Sequence, residues 1–125
     1  MTANLWIIAI AAAILLFWLR GRLLSRGIPQ YGADAVAERL KSPGSVILLD
    51  VRSGAERSAR SIGGSIHIPL PELRDRLSEL EQYRGREIVC YCASGARSAS
   101  AAHLLKGKGY RAANLAGGIS AWRGS

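Results

Sequence analysis

The chain has 125 residues, 49% of them hydrophobic, with 17 Lys+Arg against 9 Asp+Glu and a formal net charge of +8. That length holds one domain of ordinary size, and so apolar a composition excludes an intrinsically disordered chain. Only two cysteines are present, Cys90 and Cys92, which excludes a disulfide-stapled secreted scaffold and fits a reducing compartment.

In chain order, the first feature is a run without charged side chains from Met1 to Leu19, apolar throughout Leu5–Leu19. Counted from Met1, it rises roughly 28 Å as a helix, about one hydrocarbon core. Trp6 and Trp18 stand near its ends, and Arg20, Arg22 and Arg26 follow it. A cleaved signal peptide carries its basic residues before the apolar run, not after it. The expectation is therefore a single transmembrane helix within residues 1–26, in contact with the bilayer through residues 1–19. Retention of positive charge on the inner side places the N-terminus outside and residues 27–125 in the cytoplasm, on the inner membrane. Gly21, Gly27 and Pro29 are expected to break that helix and form a linker.

Beyond it the pattern alternates. Gly32 to Lys41 reads as a helix, Val46 to Val51 as a buried strand, and Ser65 to Ile68 as a short strand stopped by Pro69. Leu73, Leu77 and Leu80 recur at helical spacing within Leu70 to Gln82. Glu87 to Tyr91 is a further strand, Ala96 to Lys106 a helix, Ala112 to Leu115 a last strand, and Ile119 to Trp122 a short helix. Strands alternating with helices imply an α/β domain with a mostly parallel sheet covered on both faces. Ligands of such sheets bind at the carboxyl ends of the strands.

Cys92 stands at such an end. It follows the strand, and Ala93-Ser94-Gly95 precede the helix that opens at Ala96. Loop and first-turn N–H groups converge in that arrangement, and the helix dipole adds roughly half a positive charge. Arg97 brings a planar donor fork for an oxyanion. A thiol in that field is lowered in pKa and acts as a nucleophile toward a centre carrying anionic oxygens. Cys90, inside the strand, reads as a small buried hydrophobe. Cys90, Cys92, His67 and His103 lie at spacings unlike any zinc module, so no metal site is expected. The basic residues lack the aromatic interleaving of a nucleic-acid binder, and no nucleic-acid partner is expected.

The stretch Cys92-Ala93-Ser94-Gly95-Ala96-Arg97-Ser98 resembles the active-site loop of rhodanese-domain sulfurtransferases. Three further stretches agree with that family in order and spacing: Leu49-Asp50-Val51-Arg52 with Glu56, Ile62 to Pro69, and Leu115 to Trp122. The resemblance covers essentially all of residues 28–125. It implies a five-stranded, mostly parallel sheet and a persulfide-forming Cys92. It also implies that residues 93–98 bind the substrate and persulfide, and that no metal or organic cofactor takes part. Four positions depart from the family pattern: Arg60-Ser61 for Gly-His, Arg57 for an aromatic residue, and Gly63 for proline. They are expected on a turn away from the thiol, with altered local packing.

Asp50, Arg52 and Glu56 are expected to support the loop, Asp50 by accepting hydrogen bonds from loop N–H groups or pairing with an arginine, and Arg52 with Glu56 as an ion pair. His67 is expected to be a satisfied core residue, Gly117-Gly118 to permit a close chain approach, and Trp122 to fill the core. Four residues separate Cys92 from Arg97, against five in tyrosine-phosphatase-like loops. The shorter loop suits the terminal sulfur of a persulfide. The reaction expected from the resemblance is sulfur transfer from a small anionic donor such as thiosulfate to cyanide or a cellular thiol. A persulfide relay or binding module for a membrane-associated protein partner is the alternative, and Cys-based phosphatase or arsenate reductase chemistry ranks behind both.

Overall fold

The computed structural model describes residues 4–124. Its elements are α1 (Leu5–Arg26), β1 (Gln30–Tyr31), α2 (Ala33–Leu40), β2 (Val46–Asp50), α3 (Gly54–Ala59), β3 (Ile66–His67), β4 (Glu87–Tyr91), α4 (Ala96–Gly107) and β5 (Arg111–Leu115). Three 3₁₀ segments, Leu70–Glu72, Arg74–Tyr83 and Gly118–Ala121, complete the chain.

The five strands form one parallel sheet in the order β1-β5-β4-β2-β3. Because β2 leads outward to β3 and β4 leads outward to β5, the strand order reverses between β2 and β4. That is where a doubly covered parallel sheet opens a crevice at its carboxyl edge.

Period-two alternation divides the strands between two cores. On one face Leu49, Val51, Ile88, Cys90 and Cys92 pack with Ala101, Ala102 and Leu105 of α4 and with Leu73 and Leu80. On the other, Val46, Leu48, Val89, Tyr91, Ala113 and Leu115 pack with Val36 of α2, Ile119 and Trp122. Ala101 and Ala102 let α4 lie close against the sheet, which fixes where its first turn points.

Several expectations are corrected. Residues 70–82 are not an α-helix. Leu70 and Leu73 form one i, i+3 pair and Leu77 and Leu80 another, the period of a 3₁₀ turn. Arg76, at φ −115° and ψ 18°, breaks the path between them. Gly21 does not end α1, which runs on to Arg26.

The membrane reading is also overturned. Among the described residues no helix is long and apolar enough to cross a membrane. The apolar run Leu5–Leu19 rises only about 22 Å at 1.5 Å per residue, short of a hydrocarbon core of roughly 30 Å. Met1 and Thr2, which lengthened the run in the sequence, lie outside the described residues. The transmembrane helix, bilayer contact, inner-membrane location and N-out orientation with a cytoplasmic domain are withdrawn.

Two elements were not expected. The edge strand β1 pairs with Asn114 and Leu115 of β5. Helix α3 is opened by a capping box, in which Ser53 Oγ accepts from Glu56 N at 3.2 Å and Ser53 N donates to Glu56 Oε1 at 3.2 Å.

At the carboxyl end of β2 the fully buried Asp50 carboxylate gathers the region around α3. Oδ1 accepts from Arg52 N at 2.9 Å and Nε at 3.0 Å, and Oδ2 from Arg52 Nη2 at 2.9 Å. Oδ2 also accepts from Tyr91 OH at 3.1 Å and Arg57 Nη1 at 3.3 Å. Burial alone raises this carboxyl's pKa, but the hydrogen bonds and charge of Arg52 and the bond from Tyr91 outweigh it and hold the group below its ordinary value. Removing one partner of a buried pair strands the other charge. Asp50→Asn is therefore expected to lower unfolding stability by about 3 kcal/mol, seen as a fall in the urea midpoint at constant slope. Arg57→Leu, whose side chain is 27% exposed, is expected to cost about 1 kcal/mol.

Candidate active site

Strand β4 delivers Cys92 to the carboxyl edge of the sheet beside the reversal of strand order, and Gly95, at φ +116°, turns the chain from loop to helix. Only glycine holds that conformation without strain. Gly95 N lies 3.1 Å from Cys92 Sγ, and the Ser98 hydroxyl, from the first turn of α4, lies 3.3 Å from it. Burial raises the Cys92 pKa. Donation from the Ser98 side chain, then from the N–H groups of Ser98, Gly95 and Ser94, outweighs it, and the thiol stands below its ordinary value. The twelve residues of α4 add their dipole in the same sense. Cys90, on the same face of β4, is fully buried. Its thiol is pushed far up by desolvation and then by the nearby Cys92 charge. The two cysteines thus stand in opposite environments, Cys92 among N–H and O–H donors and Cys90 in the apolar core.

The loop is held from two sides. On one, Arg97 Nη1 and Nη2 meet Glu56 Oε1 and Oε2 at 2.7 and 2.8 Å, a bidentate clasp between α4 and α3. The Arg97 bonds, with those from Ser53, lower the Glu56 pKa from 4.5 to about 2. The contribution of the clasp to stability is therefore complete above the ordinary carboxylate value and is lost as pH falls through about 2. On the other side, the C-terminal turn binds the loop backbone. Ile119 N donates to Cys92 O at 2.9 Å, and Ser120 N and Oγ donate to Ala93 O at 3.2 and 2.8 Å. Gly118, at φ +61°, passes so close that a Cβ there would stand 2.5 Å from both carbonyl oxygens.

The residues singled out in the sequence are only partly joined as expected. Of residues 93–98, Gly95 N and the Ser98 hydroxyl lie within hydrogen-bond distance of the sulfur. Arg52 and Glu56 make no ion pair. Arg52 pairs with Asp50, and its Nη1 reaches only the Glu56 backbone oxygen at 3.3 Å. Glu56 takes Arg97 instead, so the Arg97 fork expected to face a donor anion is engaged at both terminal nitrogens. Arg60, expected on a turn away from the thiol, donates to the carbonyls of Ile119 (3.2 Å) and Trp122 and so reaches the turn that holds the loop. His67 is satisfied by Arg52 O at 2.7 Å.

Sequence reasoning missed Tyr91 and Asn114. Tyr91 OH lies 2.9 Å from Ser65 Oγ and 3.2 Å from Ile62 N, beside its bond to Asp50. Asn114 accepts from Ser98 Oγ. Each is a polar group in an apolar strand, at or near the carboxyl edge where ligands bind, and that was the available signal.

Residues 32–125 match the family model described as a rhodanese-like domain. The chain is 35% identical over 96 residues to a sulfurtransferase of Allochromatium vinosum, covering 76% of this chain and 88% of that protein. It is 36% identical over 98 residues to a putative sulfur carrier protein of Bacillus subtilis, covering 78% of this chain and 52% of that protein. The crystal structure of a rhodanese-like domain protein from Staphylococcus aureus superposes with a TM-score of 0.71 at 27% identity, over 77% of this chain and 92% of that one.

The close passage of the C-terminal turn gives a direct expectation. Gly118→Ala must displace the Cys92–Ala93 backbone as well as strain its own φ, and is expected to cost at least about 2 kcal/mol. Gly117→Ala, whose Cβ would meet only the Ala121 side chain at 3.0 Å, is expected to cost less. Thermal melts of the two variants, with alkylation rates of Cys92, measure both effects.

Proposed function

The chain belongs to the rhodanese-like domain family, and we propose that within residues 27–125 it is a sulfurtransferase working through a persulfide on Cys92. The observation that carries this reading is a buried sulfur that faces the Gly95 N–H and the Ser98 hydroxyl, with no carboxylate or imidazole among the described residues hydrogen-bonded to it. Such a site stabilises an anion on sulfur and does not activate a water. The nucleophile attacks the outer sulfur of a donor such as thiosulfate. The donor's S–S bond breaks, sulfite leaves with the electron pair, and a Cys92–S–S⁻ group forms. A thiophilic acceptor, cyanide or a cellular thiol, then attacks the terminal sulfur and Cys92 leaves as thiolate. No oxidant, reductant or proton relay is needed.

Each residue has a part in this scheme. The N–H groups of residues 93–98 hold negative charge as an oxyanion hole does. Ser98 adds its hydroxyl. Arg97 supplies positive field at the mouth and, through Glu56, keeps the loop shut. Asp50 and Arg52 act one step further out by fixing α3. The name of the Bacillus subtilis relative supports a second reading, in which a protein thiol takes the sulfur.

Cys92→Ser is expected to abolish thiosulfate:cyanide activity with the fold intact, and Cys90→Ser to retain most of it. Arg97→Ala is expected to lower kcat/KM roughly ten- to a hundredfold, the equivalent of one charge-assisted hydrogen bond. Arg97→Lys should recover part of that, because a point charge cannot grip Glu56 with two nitrogens. Steady-state kinetics decide it: residual activity in Cys92→Ser, or a dead but folded Cys90→Ser, overturns the assignment.

A further inference from the structure

The Ser98 hydroxyl has one proton and two acceptors. Its oxygen lies 3.3 Å from Cys92 Sγ and within hydrogen-bond distance of Asn114 Oδ1. Both Ser98 and Asn114 are buried, at 0% and 3% exposure, so neither can exchange its partner for bulk water.

The orientation of the Asn114 amide is fixed from its other end. Nδ2 donates to Gly95 O at 3.2 Å and to Gln30 Oε1 at 2.9 Å. A flipped amide would set its oxygen against the Gly95 carbonyl, acceptor against acceptor. Oδ1 must therefore face Ser98, and among the described residues it accepts no other hydrogen bond. The Asn114 backbone is itself pinned, its N–H donating to Pro29 O at 2.9 Å. The amide cannot retreat from the hydroxyl.

From this geometry we propose that Asn114 is a positioning residue that competes with Cys92 for the single Ser98 proton. When Cys92 is an anion, its charge makes it the stronger acceptor and the hydroxyl turns toward it. Once the negative charge moves to the outer sulfur of a persulfide, the inner sulfur becomes a poor acceptor and the proton returns to Asn114. The hydroxyl rotor follows the charge on the inner sulfur. β1, through Gln30, anchors the competing acceptor. The inference rests on the Cys92 reading above only in taking Cys92 as the ionising group. Around that group the other charged or titratable side chains are Arg97, Glu56 behind it, and Cys90, and none is changed by substituting Asn114.

The test is a pH titration of ultraviolet thiolate absorbance on the full-length chain, with Cys92→Ser as the blank. Asn114→Leu frees the hydroxyl for Cys92 and is expected to lower the thiol midpoint by about one pH unit. Ser98→Ala removes the donor and is expected to raise it. The double variant is expected to titrate with Ser98→Ala, because Asn114 has no effect without the hydroxyl. An Asn114→Leu midpoint that is unchanged or raised, or a shift that persists in the Ser98→Ala background, overturns the proposal.

Should Asn114→Leu fail to fold, the Asn114 side-chain amide resonances are followed against pH. They are expected to move with the Cys92 midpoint in the unsubstituted chain and to stay still in Ser98→Ala. Equal movement in both overturns the proposal. A chain that shows the expected coupling but gains no sulfur from thiosulfate would uphold Asn114 and reject the sulfurtransferase reading.

Discussion

The buried carboxylate of Asp50 is the point from which the site is assembled. It sits at the carboxyl end of β2, shielded from bulk solvent, and draws in Arg52, Arg57 and the Tyr91 hydroxyl. Arg52 in turn donates to the backbone oxygens of Glu56 and Arg60, so it holds α3 at Glu56 and at its C-cap. Arg57 reaches Ser65, adding Nη1–Oγ at 3.0 Å and Nη2–O at 2.8 Å. A segment with few apolar side chains of its own is thereby ordered around one charge. Helix α3 then presents Glu56 to Arg97, and the active-site loop is closed. Polar networks of this kind stabilise only when every member is satisfied, and here each oxygen of Asp50 has at least two donors.

The second constraint is the backbone of the loop itself. A loop whose N–H groups point inward at a sulfur must leave its carbonyls pointing away, and those carbonyls also need partners. The C-terminal turn supplies them at Cys92 O and Ala93 O. This explains why the C-terminal turn carries two glycines of positive φ, Gly117 and Gly118, beneath the loop, and why Trp122 closes the core on that side. Arg60 extends the connection by binding the turn from α3. The cradle is consequently gripped by two elements far apart in sequence, α3 and the C-terminal turn, with the sulfur fixed before any donor arrives. Preorganisation of this type is what makes hydrogen-bond donors effective toward a developing charge.

Local signals carried well from sequence to structure. β4 occupies the five residues read as a strand, and the turn of chain from Cys92 through Gly95 into α4 follows from strand, glycine and helix in succession. What failed was pairing at a distance. Four-residue spacing suggested Arg52 with Glu56, yet Asp50 lies two residues from Arg52, is fully buried, and wins it. Glu56 was then left for Arg97, forty-one positions away, a contact no spacing rule reaches. The Ser53-Glu56 capping box was present in the sequence and marks α3, but reading Glu56 as half of an ion pair concealed it. Likewise the leucines at 73, 77 and 80 satisfy both helical periods, and only the backbone at Arg76 separates them. The N-terminal apolar run misled for a simpler reason: its charge-free length was counted through Met1 to Asn4, whereas its apolar length is too short for a bilayer.

The account depends on Cys92 carrying sulfur in the cradle, and intact-protein mass spectrometry of the full-length chain after exposure to thiosulfate reads that state directly. The account predicts a gain of one sulfur atom, localised to the Cys92 peptide and absent from Cys90, and discharged on adding cyanide. A chain that gains no sulfur, or gains it on Cys90, would contradict it.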